Sequence, residues 1–327
     1  MGVKAVCLLS GGLDSILACR LILEQGVQVF GLNFVSPFCT CTSKGCRHGA
    51  RKAAESLGIP LKVVAKGEEY IRLIKKPRHG YGLAMNPCLD CRIFSFVQAK
   101  EYMKEIGSRF VFTGEVLGER PMSQHLRALR LIERESGLEG LVLRPLSAKL
   151  LEPTIPEKVG LVDREKLLAI QGRSRKPQIA LAAHYGIKDY PCPAGGCLLT
   201  EKNFALRLKE AFTHNEDTLR DVKVLKVGRH FRLPSGRKVI VGRNELENRV
   251  LTNLAQSDDI IIEPVEVPGP VVVVWRGSGE EDIEVAARLC ARYSDGKVLS
   301  RVKVRAGVRV FDVTPLEEEK IQAFRVG

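Results

Sequence analysis

Val3-Lys4-Ala5-Val6-Cys7-Leu8-Leu9-Ser10-Gly11-Gly12-Leu13-Asp14-Ser15 is the stretch on which the reading of this chain turns. Val3–Leu9 is a short apolar run that predicts a buried strand, and Leu13–Glu24 has the spacing of a helix. Between them, Ser10–Ser15 packs two glycines, two serines and an aspartate into six residues. A glycine-rich turn from strand to helix is where an anion site forms, because the backbone can approach closely and helix-start amides face negative oxygens. Ser10 and Ser15 can donate hydroxyl hydrogen bonds, and Asp14 can hold Mg²⁺ against phosphates. No Gly-x-x-x-x-Gly-Lys-Ser/Thr pattern is present, so this is not a Walker loop. An ordinary strand-to-helix turn with a capping serine is the plainer alternative.

Outward from that turn the first half alternates between strand and helix. Val27–Phe34, Leu61–Ala65 and Arg109–Thr113 read as strands, and Arg47–Leu57 and Cys91–Ile106 as helices. This pattern predicts an α/β fold, a doubly wound parallel sheet that binds ligands beyond the carboxyl ends of its strands. Two short helices, Arg164–Ile170 and Lys176–Tyr185, precede a turn-rich segment at Tyr190–Gly196, and a helix is expected over Glu201–Phe212. Beyond Asp221 the chain reads as strands at Val222–Val227, Lys238–Val241, Ile260–Glu263, Val271–Trp275 and Val298–Val310. The expected organisation is a domain at 1–200 followed by a smaller α+β, β-rich domain at 201–327.

The length of 327 residues agrees with two domains, and a 45% hydrophobic content is enough to fill their cores. No apolar run approaches the roughly 20 residues of a membrane span, and Val6–Leu9 is too short for a signal-peptide core. The expectation is a soluble, cytoplasmic protein without a membrane partner. Lysine and arginine number 51 against 38 acids, a net charge of +13 that suits a polyanionic partner. Residues 1–199 hold 29 basic and 18 acidic side chains, and residues 200–327 hold 22 and 20.

Of the ten cysteines, Cys7, Cys19 and Cys290 lie among apolar neighbours and read as inert core. The other seven sit in turns. Met85-Asn86-Pro87-Cys88-Leu89-Asp90-Cys91 puts two thiols one turn apart at a helix start, where Arg92 and the helix end favour thiolate. Pro191-Cys192-Pro193-Ala194-Gly195-Gly196-Cys197 follows a hundred residues later. A Cys-x-x-Cys can be half a zinc site or a redox pair, while three thiolates can hold a [4Fe–4S] cluster with one iron open. Cys39, Cys41, Cys46 and His48 form a further group, readable as a zinc site, as loop cysteines or as auxiliary sulfur carriers.

SGGLDS resembles the pyrophosphate loop of the PP-loop (N-type) ATP pyrophosphatases. The adenine nucleotide alpha-hydrolase-like fold and the release of pyrophosphate from ATP are what that resemblance implies. Together with NPCLDC, Thr113-Gly114-Glu115 and the late Gly-Gly-Cys, it is similar to the tRNA thiouridine synthetases over at least residues 1–200. The longer stretches HGYGLAMNPCLDC, TGEVLGERPMSQ, RPLSAKLLEPT and PAGGCLLT resemble a stand-alone, thiouridylase-like or 4-thiouridine-synthase-like branch. Ser10, Gly11, Gly12, Asp14, Ser15, Thr113 and Gly114 would then bind ATP and Mg²⁺, and Cys88, Cys91 and Cys197 would hold a [4Fe–4S] cluster. Asp14, Cys91 and Cys197 would be the catalytic residues. Cys192 can replace Cys197, close the cluster as a fourth ligand, or resolve a persulfide. Other relatives carry persulfide on the late cysteine and close a disulfide with the earlier one.

The resemblance implies tRNA as substrate and a sulfur donor, whether free sulfide, a cysteine desulfurase or a sulfur carrier; a homodimer is compatible with it. Unlike the longer bacterial 4-thiouridine synthetases, the chain shows neither their amino-terminal RNA-binding extension nor a rhodanese-like tail, which shifts RNA binding to residues 200–327. Arg120, Ser123 and Gln124 read as contacts to ATP or nucleoside, or as a cap on the next helix. Lys149 and Gly172-Arg173-Ser174-Arg175-Lys176 read as phosphate contacts or as solvated charge. Residues 220–249 carry nine basic side chains against three acids. Arg301, Lys303, Arg305 and Arg309 are expected on one face of a single strand. Val241-Gly242-Arg243-Asn244-Glu245 with Glu247-Asn248 is similar to the RNA-binding module of NFACT proteins. The expected function is ATP-dependent tRNA thiolation. A small-molecule PP-loop ligase or sulfurtransferase with zinc or persulfide cysteines, and an RNA-binding scaffold, are the alternatives.

Overall fold

Lys4–Leu8 (β1) forms the centre of the first sheet because its side chains are apolar on both faces: Ala5 and Cys7 point into one core, Val6 and Leu8 into the other. The computed structural model describes residues 2–39, 46–188, 190, 196–277 and 279–327, with only the backbone of Cys46 and Arg47. The chain divides into two compact units, Met1–Thr200 and Glu201–Gly327.

In the first unit, β1 is followed by Leu13–Leu23 (α1), Gln28–Val35 (β2), Cys46–Leu57 (α2), Leu61–Ala65 (β3), Glu68–Lys75 (α3) and Cys88–Glu105 (α4). Phe110–Thr113 (β4), Leu126–Ser136 (α5), Val142–Leu143 (β5), Ile155–Lys158 (α6) and Lys176–His184 (α7) complete it. The five strands are parallel in the order β3-β2-β1-β4-β5, as expected of a doubly wound sheet. One core gathers Leu13, Leu17 and Ala182 from α1 and α7, and the other gathers Phe96, Ala99 and Ile132 from α4 and α5. The strand order reverses between β1 and β4, so the two chain segments leaving that point diverge and open a crevice. Leu8 pairs with Thr113, which places the Ser10–Ser15 turn beside the end of β4.

The second unit contains Lys202–Thr213 (α8), Leu219–Val224 (α9), Arg229–Arg232 (β6), Lys238–Val241 (β7), Glu245–Leu254 (α10), Ile260–Pro264 (β8), Val272–Trp275 (β9), Glu280–Tyr293 (α11), Val302–Ala306 (β10), Arg309–Val313 (β11), Glu318–Phe324 (α12) and Arg325–Val326 (β12). Its antiparallel sheet runs β11-β10-β8-β9-β7-β6-β12. Ala286, Ala287, Leu289 and Cys290 of α11 cover one face, while Leu251 of α10 joins Ile240, Val273 and Trp275 on the other.

Three elements differ from expectation. Val222–Val227 is not a strand: Thr218 caps a helix by accepting from the Asp221 amide, and Asp221 accepts from the Thr218 amide. That capping box outweighs the β-branched valines. Val298–Val310 is not one strand but a turn followed by the β10–β11 hairpin, so Arg309 faces Ala306 across it rather than continuing the Arg301 row. Arg164–Ile170 supplies only a three-residue 3₁₀ turn, Arg164–Lys166. Cys7, Cys19 and Cys290 are fully buried, as core thiols should be.

Candidate active site

The turn after β1 is built around close backbone packing. Gly11 has φ +81°, and a Cβ there would lie 2.4 Å from the Ala50 amide nitrogen of α2. Gly114, just beyond β4, presses on the other side, where a Cβ would meet the Asp14 carbonyl carbon and the Ser15 nitrogen at 2.4 Å. Ser15 Oγ donates to the Gly12 carbonyl at 2.8 Å, Ser10 Oγ reaches Ser15 Oγ at 3.2 Å, and the Gly12 amide donates to Ser10 Oγ at 3.3 Å. Gly12 is the N-cap of α1 and no side chain caps the helix. The first amides of a helix lack partners within it, so this turn retains donors for an anion.

Asp14 is half-buried and its Oδ1 has no hydrogen-bond partner. Burial raises its pKa above the ordinary carboxylate value, against the pull of Arg175, Gln178 and Arg120. Glu119 is raised by burial and by Asp14, with Arg120, Arg175 and Arg92 opposing. Gln178 is wholly buried and turns its side-chain amide toward Asp14. Two carboxyl groups, a buried amide and arginines from three segments therefore share the field around the turn. Arg92 was expected beside the thiols and Glu119 lies in the quoted TGEVLGERPMSQ stretch, but neither was assigned to this turn; Gln178 belongs to no quoted motif, and separate segments bring the three together.

Thr113 is buried and its Oγ1 donates to Glu115 Oε2 at 3.3 Å. Glu115 is buried between Arg144, whose Nε donates at 3.1 Å, and Arg92, 3.1 Å away. Burial opposes its charge, yet Arg92 and Arg144 hold its carboxyl below the usual range. Arg92 belongs to α4, so this ion pair ties the helix bearing the thiols to the edge where β4 ends. Of the flanking polar residues, Gln124 Oε1 accepts from the Arg120 amide and closes its own turn. His125, rather than Ser123 or Gln124, caps α5 by accepting from the Ala128 amide. Lys149 donates to the carbonyl and carboxylate of Glu165.

The thiols gather at the same carboxyl edge. Cys91 Sγ accepts hydrogen bonds from Tyr70 Oη at 3.0 Å and Lys66 Nζ at 3.2 Å. Lys66 follows β3 and is 5% exposed, enclosed by the rings of Phe34, Tyr70 and Phe94. Burial works against the Cys91 thiolate, but Lys66, Tyr70 and Arg92 outweigh it and hold the thiol below its ordinary value. Cys88 is raised by burial and then by Cys91, with Arg92 and Arg120 pulling the other way. Burial, reinforced by Cys91, Cys88 and Cys39, pushes Cys197 up to about 11 despite the Leu199 amide. Cys88, Cys91 and Cys197 thus act on one another electrostatically. No three His, Cys, Asp or Glu side chains among the described residues are arranged to hold a metal ion.

Cys39 pairs with Cys197 in an isolated antiparallel bridge. Cys41, Cys192 and the side chain of Cys46 lie outside the described residues, and His48 is exposed.

In the second unit most of the basic side chains have acidic partners. Arg220 pairs with Asp259, Lys238 with Glu216, Arg243 with Glu247 and Arg249 with Glu245. Arg301, Lys303, Arg305 and Arg309 pair with Asp312, Glu266, Glu263 and Glu280 on the surface. The 241–248 motif holds the backbone together. Asn244 caps α10, Glu247 accepts from the Gly228 and Arg243 amides, and Asn248 accepts from the Val271 amide.

Residues 2–150 match the family described as thiamine biosynthesis protein (ThiI), and residues 228–325 match the NFACT protein RNA binding domain. The chain is 32% identical over 125 residues to a tRNA-specific 2-thiouridylase MnmA of Deinococcus radiodurans, covering 35% of this chain and 33% of that protein. It is 34% identical over 114 residues to the enzyme of the same name from Syntrophotalea carbinolica, covering 32% of each. The matched part spans about a third of the length of these curated relatives. Among solved structures, a 4-thiouridine synthetase–RNA complex with bound ATP aligns at 25% identity and a TM-score of 0.38, over 68% of this chain and 52% of that one.

Proposed function

We propose that this chain, which belongs to the PP-loop, ThiI-like tRNA thiouridylase family and carries an NFACT-R-like RNA-binding module, thiolates a uridine of tRNA at the expense of ATP. One observation carries the reading. An uncapped, glycine-packed helix start and a group of thiols, one of them hydrogen-bonded by Lys66 and Tyr70, stand at the same edge of one parallel sheet. Activation by ATP and delivery of a soft nucleophile need that juxtaposition.

In this scheme the target carbonyl oxygen attacks the α-phosphorus of ATP, and the bond to the departing pyrophosphate breaks. Ser10, Gly11, Gly12 and Ser15 bind the pyrophosphate. Asp14 would hold the Mg²⁺ that accompanies ATP, while Thr113 and Gly114 border the nucleotide. Preorganised amides and cations stabilise the charge that develops on the leaving phosphates. Sulfur then attacks the activated ring carbon, the carbon–oxygen bond breaks, and AMP leaves.

The thiols also suit a [4Fe–4S] cluster. The donor set is wholly sulfur, which selects soft metals, and a cluster spreads its ligands over separate irons instead of drawing them to one point. Cys88, Cys91 and Cys197 would hold it, and it would supply an iron without a protein ligand, able to bind sulfur. The position of Cys39 opposite Cys197 favours a second route, with sulfur carried as a persulfide on Cys197.

Anaerobic purification followed by quantification of iron, sulfide and zinc tests the choice. About four irons and four sulfides, lost together in Cys88→Ala, Cys91→Ala or Cys197→Ala, support the cluster. Zinc without iron after reconstitution removes it. The broader reading requires ATP-dependent thionucleoside in tRNA, detected by nucleoside mass spectrometry; its absence with competent sulfur donors and intact ATP turnover points instead to a small-molecule substrate.

A further inference from the structure

Cys39 follows β2, and the reading of its own neighbourhood grouped it with Cys41 and Cys46. It is the bridge partner of Cys197, and the Leu198 amide donates to the Phe38 carbonyl at 2.9 Å. A bond from the residue after one bridge member to the residue before the other identifies a non-hydrogen-bonded antiparallel pair. In such pairs the Cα atoms are about 4.5 Å apart and the two side chains lie on the same face. That separation falls at the short end of the roughly 4.4–6.8 Å that a disulfide spans. Both residues are half-buried.

Among the described residues, the two thiols of the Cys-x-x-Cys are differently engaged. Cys91 Sγ takes hydrogen bonds from Tyr70 and Lys66. Cys88, Cys91 and Cys39 all act on Cys197 through their charge, but Cys39 is also strand-paired with it, beside the Leu198–Phe38 backbone hydrogen bond.

We propose that Cys39 is the resolving thiol of Cys197, closing a Cys39–Cys197 disulfide as sulfur is released. This rests on the reading in which Cys197 carries sulfur as a persulfide. The Cys39 thiolate attacks Cys197 Sγ, a bond forms between the two Sγ atoms, and the bond from Cys197 Sγ to the outer sulfur breaks. The electron pair leaves with that sulfur, which is reduced to hydrosulfide, while the two cysteines are oxidised to the disulfide. Hydrosulfide is the nucleophile the activated nucleoside consumes, and a dithiol reductant restores both thiols for the next turnover. The attacking thiol is thus supplied by the segment after β2 rather than by the Cys-x-x-Cys of α4.

The test uses the reduced, iron-free full chain in two arms. In the first, stoichiometric diamide takes up two electrons and two protons from neighbouring thiols, and acid-quenched peptide mapping locates the disulfide. A Cys39–Cys197 peptide is expected; a disulfide from Cys197 to Cys88 or Cys91, or none to Cys197, overturns the proposal whatever the fate of sulfur. In the second, sodium polysulfide loads the chain, and hydrosulfide release is followed with persulfide mass. Cys39→Ser is expected to keep the extra sulfur on Cys197 and to slow release by about tenfold or more, since exchange depends on the placement of the attacking thiol. Unchanged release from a persulfidated Cys39→Ser protein overturns the pairing and leaves tRNA thiolation standing. If Cys197 takes up no sulfur, the persulfide reading fails and the proposal with it. Cys39→Ala serves as a second variant, and circular dichroism establishes that each variant is folded.

Discussion

Lys66 shows how much a single residue can do at this edge. Its ammonium group sits among Phe34, Tyr70 and Phe94 and meets Cys91 Sγ at 3.2 Å, so the aromatic rings and the sulfur replace part of its hydration. Lys66→Met removes the cation that stabilises the thiolate, so the Cys91 pKa must rise. Alkylation of Cys91 by iodoacetamide, followed by mass spectrometry across pH, should show its midpoint move upward, with a smaller upward move in Tyr70→Phe. At neutral pH the Lys66→Met rate should fall by about tenfold if the shift is one unit. Gly114→Ala makes the other residue-scale prediction. Its methyl group would lie 2.4 Å from the backbone of Asp14 and Ser15, so the turn must move. Pyrophosphate release should fall by about a hundredfold, as misplacement of about 1 Å can cost, while the second unit's melting stays unchanged. SGGLDS stands out in the sequence as a glycine-rich strand-to-helix turn; Lys66 does not stand out, because a lysine after a strand is ordinarily solvated.

At the scale of elements, legibility followed burial. The β1, β2 and β3 runs are apolar enough for the parallel sheet to be read directly, and Leu61–Ala65 forms as expected. The second unit was harder because its short strands alternate with helices whose signals are capping residues. Thr218 is the clearest case: its hydroxyl and the Asp221 carboxylate set the helix that a run of valines concealed. Thr218→Ala should cost about 1 kcal/mol in chemical unfolding. The Lys238–Glu216 pair is more consequential, since Lys238 is 1% exposed and Arg232 shares the same carboxylate. Glu216→Leu should cost about 3–5 kcal/mol, because it leaves buried positive charge poorly matched. The Arg301–Arg309 row illustrates the opposite error: period-two alternation holds within β10, where Val302, Val304 and Ala306 are buried, but the chain turns at Gly307.

Across the whole molecule, the net charge of +13 is more selective than its size suggests. Arg220, Arg232, Lys238, Arg243 and Arg249 all have acidic partners within the second unit, so their value as phosphate contacts is reduced. RNA affinity should nevertheless fall as salt rises, because binding to a phosphate backbone releases counterions; anisotropy titrations at several salt concentrations measure the slope. Removing residues 201–327 should weaken RNA binding and RNA-stimulated pyrophosphate release while leaving ATP binding to residues 1–200. Strand periodicity, the SGGLDS turn and the Cys88–Cys91 spacing could be read from the sequence alone, because each is local: its meaning lies within a few residues of chain. The tertiary structure alone decided that Lys66 and Tyr70 contact Cys91, that Arg92 links the thiol helix to Glu115, and that Cys39 is strand-paired with Cys197. Those contacts join residues far apart in the chain, and only the packing of strand ends at one sheet edge brings them within reach of one another.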